Sequence, residues 1–195
     1  MLFTAAVFNF AVGVTLAILP AYGELLGGPA VYGLLLGALG VGRLVGSASA
    51  SYLDGVPYGR LKAVTYLASA LLWLGSVAAP TPALAVGLFG LAWISGGIDG
   101  VLTETLNQRV FPDDLLGRVS SIKGTASTAT LPVGSLVGGL VAELLGTTAT
   151  MALAAFGFGF VGIYFALRPS LRRLPATSEA EPDDFGVRHP KGTAD

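Results

Sequence analysis

Six long apolar runs constrain the fold of this chain more than any other feature of its sequence. Each run has about 18–25 residues, which lets a helix cross a hydrocarbon core of about 30 Å. The predicted spans are Leu2–Leu26, Val31–Leu53, Leu61–Ala79, Pro82–Leu106, Ile122–Leu145 and Thr148–Leu167. Because every backbone polar group in lipid must be hydrogen-bonded within its own segment, the pattern predicts an all-α membrane protein of six transmembrane helices.

The composition supports lipid as the main solvent and excludes several classes of site. Hydrophobic residues make up 53% of the chain and charged residues only 12%, whereas a soluble domain has about 25% charged residues. The chain has no Cys, and its one His, His189, lies in a polar tail. We therefore expect no enzyme activity, no metal site and no cofactor. The glycine runs lack the Lys-Ser/Thr of a phosphate-binding loop, and no basic patch favours nucleic acid.

The positions of Lys and Arg predict the orientation in the membrane. They follow the second span (Arg60, Lys62), the fourth (Arg109, Arg118, Lys123) and the sixth (Arg168, Arg172, Arg173), and the other three breaks hold none. Because cytoplasmic loops carry the excess of Lys and Arg, we expect both termini to be cytoplasmic in the cell membrane. Residues 1–169 should form the transmembrane domain. The Pro-, Asp- and Glu-rich residues 170–195 should form a disordered cytoplasmic tail.

Two charged residues lie inside predicted spans rather than at their ends. Arg43 is near the middle of the second span, and Asp99 is in the fourth. A charge in the bilayer costs about 3 kcal/mol on insertion scales, so it faces the interior and usually has a partner. One hypothesis is that Arg43 and Asp99 form a substrate- or proton-linked pair. The others are a structural ion pair, or an Arg43 that lies closer to the cytoplasm.

Small and polar residues recur at helical spacing around Asp99 and again in the fifth span, and are typical of a cavity wall. The candidate substrate residues are Asn9, Ser95, Asp99, Thr103, Thr125 and Thr128. The alternative for the threonine and serine faces is a tight seam between helices, and Asn9 is equally well explained as an interhelical hydrogen-bonding group.

Glycines also recur at helical spacing within the spans. The sets are Gly33, Gly37 and Gly40, then Gly42 and Gly46, then Gly134 and Gly138. Small residues four apart let helices approach closely in lipid. They predict either ordinary helix packing or contacts that move during transport.

One motif resembles a known family. Asn107-Gln108-Arg109-Val110-Phe111-Pro112, followed by Gly117-Arg118-Val119-Ser120, resembles the loop between helices ten and eleven of major facilitator superfamily transporters, most of all the multidrug, macrolide and siderophore exporters. The family motif residues are Asn107, Pro112, Gly117 and Arg118. The Pro132–Gly139 stretch resembles helix eleven of that branch. The cytoplasmic motif between helices eight and nine is less well matched, because Ala50 stands at its leading Gly position.

This resemblance implies the carboxy-terminal six-helix half of a major facilitator fold, built from two inverted three-helix repeats. It implies that the first and fourth spans line the transport cavity. The expected function is export of a small organic molecule by alternating access, with proton coupling and with a second six-helix half as partner. The alternative is a non-transporting six-helix membrane scaffold or a truncated gene product.

Overall fold

The computed structural model describes residues 2–111, 117, 121, 124–125 and 128–182. They form helices α1 (Leu2–Leu26), α2 (Pro29–Ser49), α3 (Tyr58–Val77), α4 (Pro82–Ala92), α5 (Ile94–Val110), α6 (Thr130–Leu145), α7 (Thr147–Leu167) and α8 (Pro169–Arg172). Short 3-10 turns cover Ala50–Tyr52 and Thr177–Glu179. Residues 117, 121, 124, 125 and 128 are also helical. The predicted all-α class is therefore confirmed for the described part of the chain.

Four stretches have the length and apolar composition of a membrane span. They are Leu2–Leu26, Pro29–Tyr52, Pro82–Val110 and Thr147–Leu167. Helix α3 adds 20 residues, and α6 is an apolar helix of 16 residues. These are the elements of a multi-pass membrane protein. The count of six spans stays a prediction, because Ile122, where the fifth predicted span begins, lies outside the described residues.

Prolines shift two helix starts from their predicted places. Helix α2 begins at Pro29 rather than Val31, because Pro is well suited to the first turn of a helix. Gly28 precedes it with φ of 97°, a backbone conformation that glycine adopts without a Cβ clash. Helix α3 begins at Tyr58 rather than Leu61, directly after Pro57. The earlier start of α3 matters for the site, because it places Lys62 one turn inside the helix rather than at its second position.

The fourth predicted span is two helices rather than one. The backbone tightens at Trp93, whose N–H donates to the Gly90 carbonyl at 3.1 Å, and α5 starts directly after it. Helix α5 then continues to Val110, beyond the predicted end at Leu106. It stops before Phe111, which has extended backbone (φ −102°, ψ 134°). The cause is that residue 112 is Pro, which disfavours helical backbone in the residue before it.

An aromatic cluster joins helices α3, α4 and α7 at the centre of the bundle. Trp73 lies with its ring 5.1 Å from Phe89 and 5.0 Å from Phe158, and all three side chains are fully buried. Tyr66 continues the cluster, 5.7 Å from Phe158. Rings at these separations attract one another beyond their burial of apolar area. The cluster therefore anchors Tyr66, which belongs to the site described below.

A pair of glycines on α2 brings that helix against the backbone of the α4–α5 span. A Cβ added to Gly42 would overlap the carbonyl oxygen of Gly90, and one on Gly46 would overlap that of Ile94. Such approach is possible only without side chains, as expected for small residues four apart in a membrane helix.

Helix α6 contacts α1 in the same way. A Cβ on Gly134 would overlap the carbonyl oxygen of Phe10, and one on Gly138 would lie 2.8 Å from the Cα of Val14. In both seams, glycines four residues apart meet backbone groups four residues apart on the partner helix. We call the two contacts the α2 seam and the α6 seam.

The third glycine set does not belong to a seam. A Cβ on Gly33, Gly37 or Gly40 would meet no atom of the described residues within 4 Å. This stripe of α2 is therefore open.

The first part of the predicted disordered tail is folded. Residues 170–182 continue from α7 through α8 and the 3-10 turn Thr177–Glu179, and Leu174, Ala176 and Thr177 are buried. Ala176 forms a β-bridge with Pro57, the residue before α3, and Leu174 belongs to the hydrophobic core. Residues 183–195 lie outside the described part of the chain.

Candidate functional site

A buried ion pair between α3 and α5 forms the centre of the candidate site. The Nζ atom of Lys62 lies 2.7 Å from Oδ1 of Asp99 and 2.9 Å from its Oδ2. The side chains are 8% and 19% exposed. Two charges removed from water need both mutual attraction and further hydrogen bonds.

Hydroxyl groups supply those further bonds to Asp99. Tyr58 donates to Oδ1 at 2.9 Å, and Tyr66 donates to Oδ2 at 2.9 Å. Thr103, one turn further along α5, donates to Oδ1 at 3.2 Å. The hydroxyls thus bond both carboxylate oxygens, two of them at Oδ1 and one at Oδ2. A fully bonded network of this kind holds a charge in a low-dielectric interior.

Aromatic rings surround the ammonium group of Lys62. Its Nζ lies 5.5 Å from the ring centroids of Tyr58 and Tyr66, and 5.1 Å from that of Phe165 on α7. The faces of aromatic rings attract cations within about 6 Å. Lys62 is therefore stabilised by two independent kinds of contact, the carboxylate and the ring faces.

The spacing of these residues explains why they meet. Tyr58, Lys62 and Tyr66 are each four residues apart and lie on one face of α3, while Asp99 and Thr103 are four apart on α5. Residues four apart share a helix face. From its position beside the second break, Lys62 is predicted to be a loop charge that marks the cytoplasmic side. The four-residue repeat of Tyr, Lys and Tyr was the signal for its other role.

Asp99 has a different partner from the one predicted. The predicted pair was with Arg43, but the side chain of Arg43 is exposed, and the cation at Asp99 is Lys62. The physical reason is the early start of α3, which carries Lys62 one turn into the bundle.

A cavity of about 220 Å³ opens beside the ion pair. It lies between α1, α3 and α5, and its polar lining is formed by Thr4, Asn9, Lys62, Tyr66, Asp99, Thr103 and Glu104. Asn9 is half-buried and donates from Nδ2 to the carbonyl of Ala5 in its own helix at 2.9 Å. The structure thus brings together three of the candidate cavity residues: Asn9, Asp99 and Thr103.

Ser95, a fourth candidate, lies in a helix contact. It is 2% exposed, and the Ser69 hydroxyl of α3 donates to its Oγ at 2.7 Å. Ser95 in turn donates to the carbonyl of Ala92 at 3.3 Å. It is not part of the cavity lining and links α3 to α5.

The remaining predicted residues lie elsewhere. Thr125 and Thr128 are exposed and do not line the cavity. Asn107 is half-buried and donates to the Glu104 carboxylate at 3.2 Å. Gly117 is exposed, and the other two family motif residues, Pro112 and Arg118, lie outside the described residues. Within the described ranges, no three His, Cys, Asp or Glu side chains gather as a metal-ligand set.

Comparison with known proteins gives one match. A family model described as "transmembrane secretion effector" matches residues 1–188. No curated protein and no solved structure matches the chain. The family match agrees with the helical bundle and with the resemblance carried by the Asn107–Gly117 region. This chain is a membrane protein of the transmembrane secretion effector family, within the major facilitator superfamily of transporters.

Proposed function

We propose that the protein exports a small organic molecule by alternating access with proton exchange, and that the chain forms one six-helix half of the working transporter. The observation that carries the proposal is the Lys62–Asp99 pair, buried at the wall of a polar cavity. Intramembrane ionisable residues typically mark substrate and proton pathways.

The cavity offers the mixture of groups that an organic molecule needs. Phe8 supplies an aromatic surface, while Asn9 and Thr103 supply an amide and a hydroxyl. Complete ligand sites enclose about 300–1,000 Å³. The cavity of about 220 Å³ is smaller than that, which fits a site whose opposite wall comes from elsewhere. A second half would supply the opposite wall.

Proton binding has a direct structural consequence at this site. A proton on Asp99 removes its charge, so the ion pair with Lys62 is lost. The rings around Lys62 still favour its positive charge, and the local charge changes from zero to plus one. Two arrangements of α3 and α5 that bind the proton differently would then be shifted in population by pH.

Features of α2 support a second half. Arg43 is exposed in the middle of this helix, and the open stripe at Gly33, Gly37 and Gly40 lies on the same helix. An exposed charge facing hydrocarbon costs about 3 kcal/mol, which a wet cavity between two halves would relieve.

The α2 and α6 seams support nested inverted repeats, since one packing pattern occurs in both. We also propose a cell-membrane location with cytoplasmic termini, on the distribution of Lys and Arg.

Transport by proteoliposomes tests the proposal. The chain is co-expressed with a candidate first half and reconstituted, and proton-driven movement of ethidium and erythromycin is measured. We expect Asp99→Asn and Lys62→Gln to abolish proton-driven transport. Glu143→Gln on α6, an exposed acid away from the cavity, is the matched control and should retain transport. Full transport by Asp99→Asn with unchanged pH dependence would overturn the proton-coupling role.

The alternative is a non-transporting six-helix scaffold. It is favoured by the hydrogen bonds to both oxygens of Asp99, because a fully bonded carboxylate is typical of a structural ion pair. Under this alternative, Asp99→Asn lowers stability, and the wild-type chain co-assembled with its partner half moves neither probe.

A further inference from the structure

Residues 169–182 cross the end of the bundle at which α3 begins and α5 ends. We call this segment the strap. Ser178 donates from its N–H and its hydroxyl to the Asp54 carbonyl, both at 3.1 Å. Arg109, in the last turn of α5, donates to the Ser178 carbonyl at 2.7 Å. The strap therefore ties the loop before α3 to the end of α5.

The strap is also packed against α3 itself. Ala176 forms a β-bridge with Pro57 and is 3% exposed. A Cβ on Gly59 would overlap the carbonyl oxygen of Leu171. The two backbones are in direct contact, so a shift of the strap must shift the first turn of α3.

Tyr58 connects the strap to the ion pair. Its N–H donates to the Pro175 carbonyl at 3.0 Å, while its hydroxyl donates to Asp99 at 2.9 Å. The first N–H groups of a helix have no partner within the helix. For Tyr58, the first residue of α3, the strap supplies that partner. The side chain is 1% exposed, so its position follows that of its backbone.

We propose that the strap positions Tyr58 and, through it, the Asp99 carboxylate. Tyr58 is a positioning residue that links the end of the bundle to its interior, and release of the strap loosens the hydrogen bond at Asp99. The consequence for transport rests on the proposed function, but the link itself is a property of the structure and is tested without transport.

Nuclear magnetic resonance of the full chain, labelled with ¹³Cγ-aspartate in nanodiscs, measures the link. The Asp99 carboxyl resonance is assigned by its loss in Asp99→Asn. Tyr58→Phe removes the bond directly and should shift the resonance. Gly59→Ala pushes the strap away without altering any group bonded to Asp99, and should shift the resonance in the same direction. The control is Gly55→Ala in the same loop, where a Cβ meets nothing within 4 Å.

A second measurement covers the event that Gly59→Ala does not fold. Arg109→Ala on the exposed side of α5 removes only the bond to Ser178. We expect Arg109→Ala to raise hydrogen exchange at the Tyr58 amide by about fivefold, the effect of one ordinary hydrogen bond. We also expect it to shift the Asp99 resonance in the same direction as Tyr58→Phe. An Asp99 resonance unmoved in Gly59→Ala, or in Arg109→Ala if Gly59→Ala is unfolded, overturns the inference. Loss of transport in Asp99→Asn, together with an Asp99 resonance that is unmoved in Gly59→Ala, would reject the strap and keep the proposed function.

Discussion

The Nζ atom of Lys62 on α3 lies 2.7 Å from Oδ1 of Asp99 on α5, and both side chains are mostly withdrawn from water. An ion pair in such a place depends on its partners being present together. Attraction between the charges offsets the loss of hydration, and neither charge alone has that compensation.

Removal of one partner should therefore destabilise the protein more than removal of both. We expect Lys62→Met to lower the free energy of unfolding by about 3–5 kcal/mol, because Asp99 is left as an unpaired buried charge. The double variant Lys62→Met/Asp99→Asn should recover most of that loss. Unfolding in mixed micelles with increasing SDS measures both. Additive losses in the double variant would contradict an energetic coupling between the two residues.

Two tyrosines allow a matched comparison of hydroxyl groups. Tyr66→Phe removes a hydrogen bond to the charged Asp99 and should cost about 1.5–3 kcal/mol. The Tyr22 hydroxyl is buried and has no hydrogen-bond partner among the described residues. Tyr22→Phe should therefore be neutral or stabilising in the same unfolding assay. Equal costs for the two variants would show that the Tyr66 bond adds no stability beyond its ring.

The α2 seam predicts opposite effects for two glycines of one helix. Gly46→Ala forces a methyl group into the Ile94 carbonyl and should destabilise the bundle by about 1–3 kcal/mol. Gly37→Ala enters open space and should stabilise α2 by up to about 1 kcal/mol, since Ala favours helix over Gly. Thermal unfolding in detergent measures both. Loss of stability in Gly37→Ala would indicate that a partner covers this stripe.

Water in the cavity can be detected with single cysteines, because the chain has none of its own. Asn9→Cys faces the cavity and should react with a membrane-impermeant maleimide in inside-out membrane vesicles. Ser95→Cys, placed between α3 and α5, should react only after unfolding. Ser51→Cys in the exposed loop after α2 is the reactive reference. An Asn9→Cys variant as unreactive as Ser95→Cys would show that the cavity is closed to water.

The apolar runs predicted that the described parts of the spans are helical, because a membrane span has a length and a composition that few other elements share. They did not predict the break at Trp93 that divides the fourth span into α4 and α5. Small residues four apart also predicted the close helix contacts at Gly46 and Gly138, but the set with Gly37 has the same spacing and meets no described residue. Periodicity does not give the depth and rotation of one helix against another. Asp99 was recognised as costly in lipid, but whether Arg43 or Lys62 would reach it depended on that missing geometry.

The order of the strap is not predictable from the sequence, for a different reason. Residues 170–182 have no helical or alternating pattern, and their polar composition predicts disorder. Their order comes from contacts with a distant part of the chain, such as Ala176 with Pro57. A composition-based prediction has no access to contacts of this kind.

The two glycine seams have a mechanical consequence. At the α2 and α6 seams, main chain meets main chain, so no side chain can change rotamer there to let the helices separate. Each pair of elements joined by a seam, α2 with α4–α5 and α6 with α1, should move as one rigid body. Bending within one of these pairs would require backbone to move through backbone, so in the proposed transport cycle the cavity should open by tilting between the two pairs. Helix α3, with Lys62 on its inner face, takes part in neither seam and would be the hinge of that tilt.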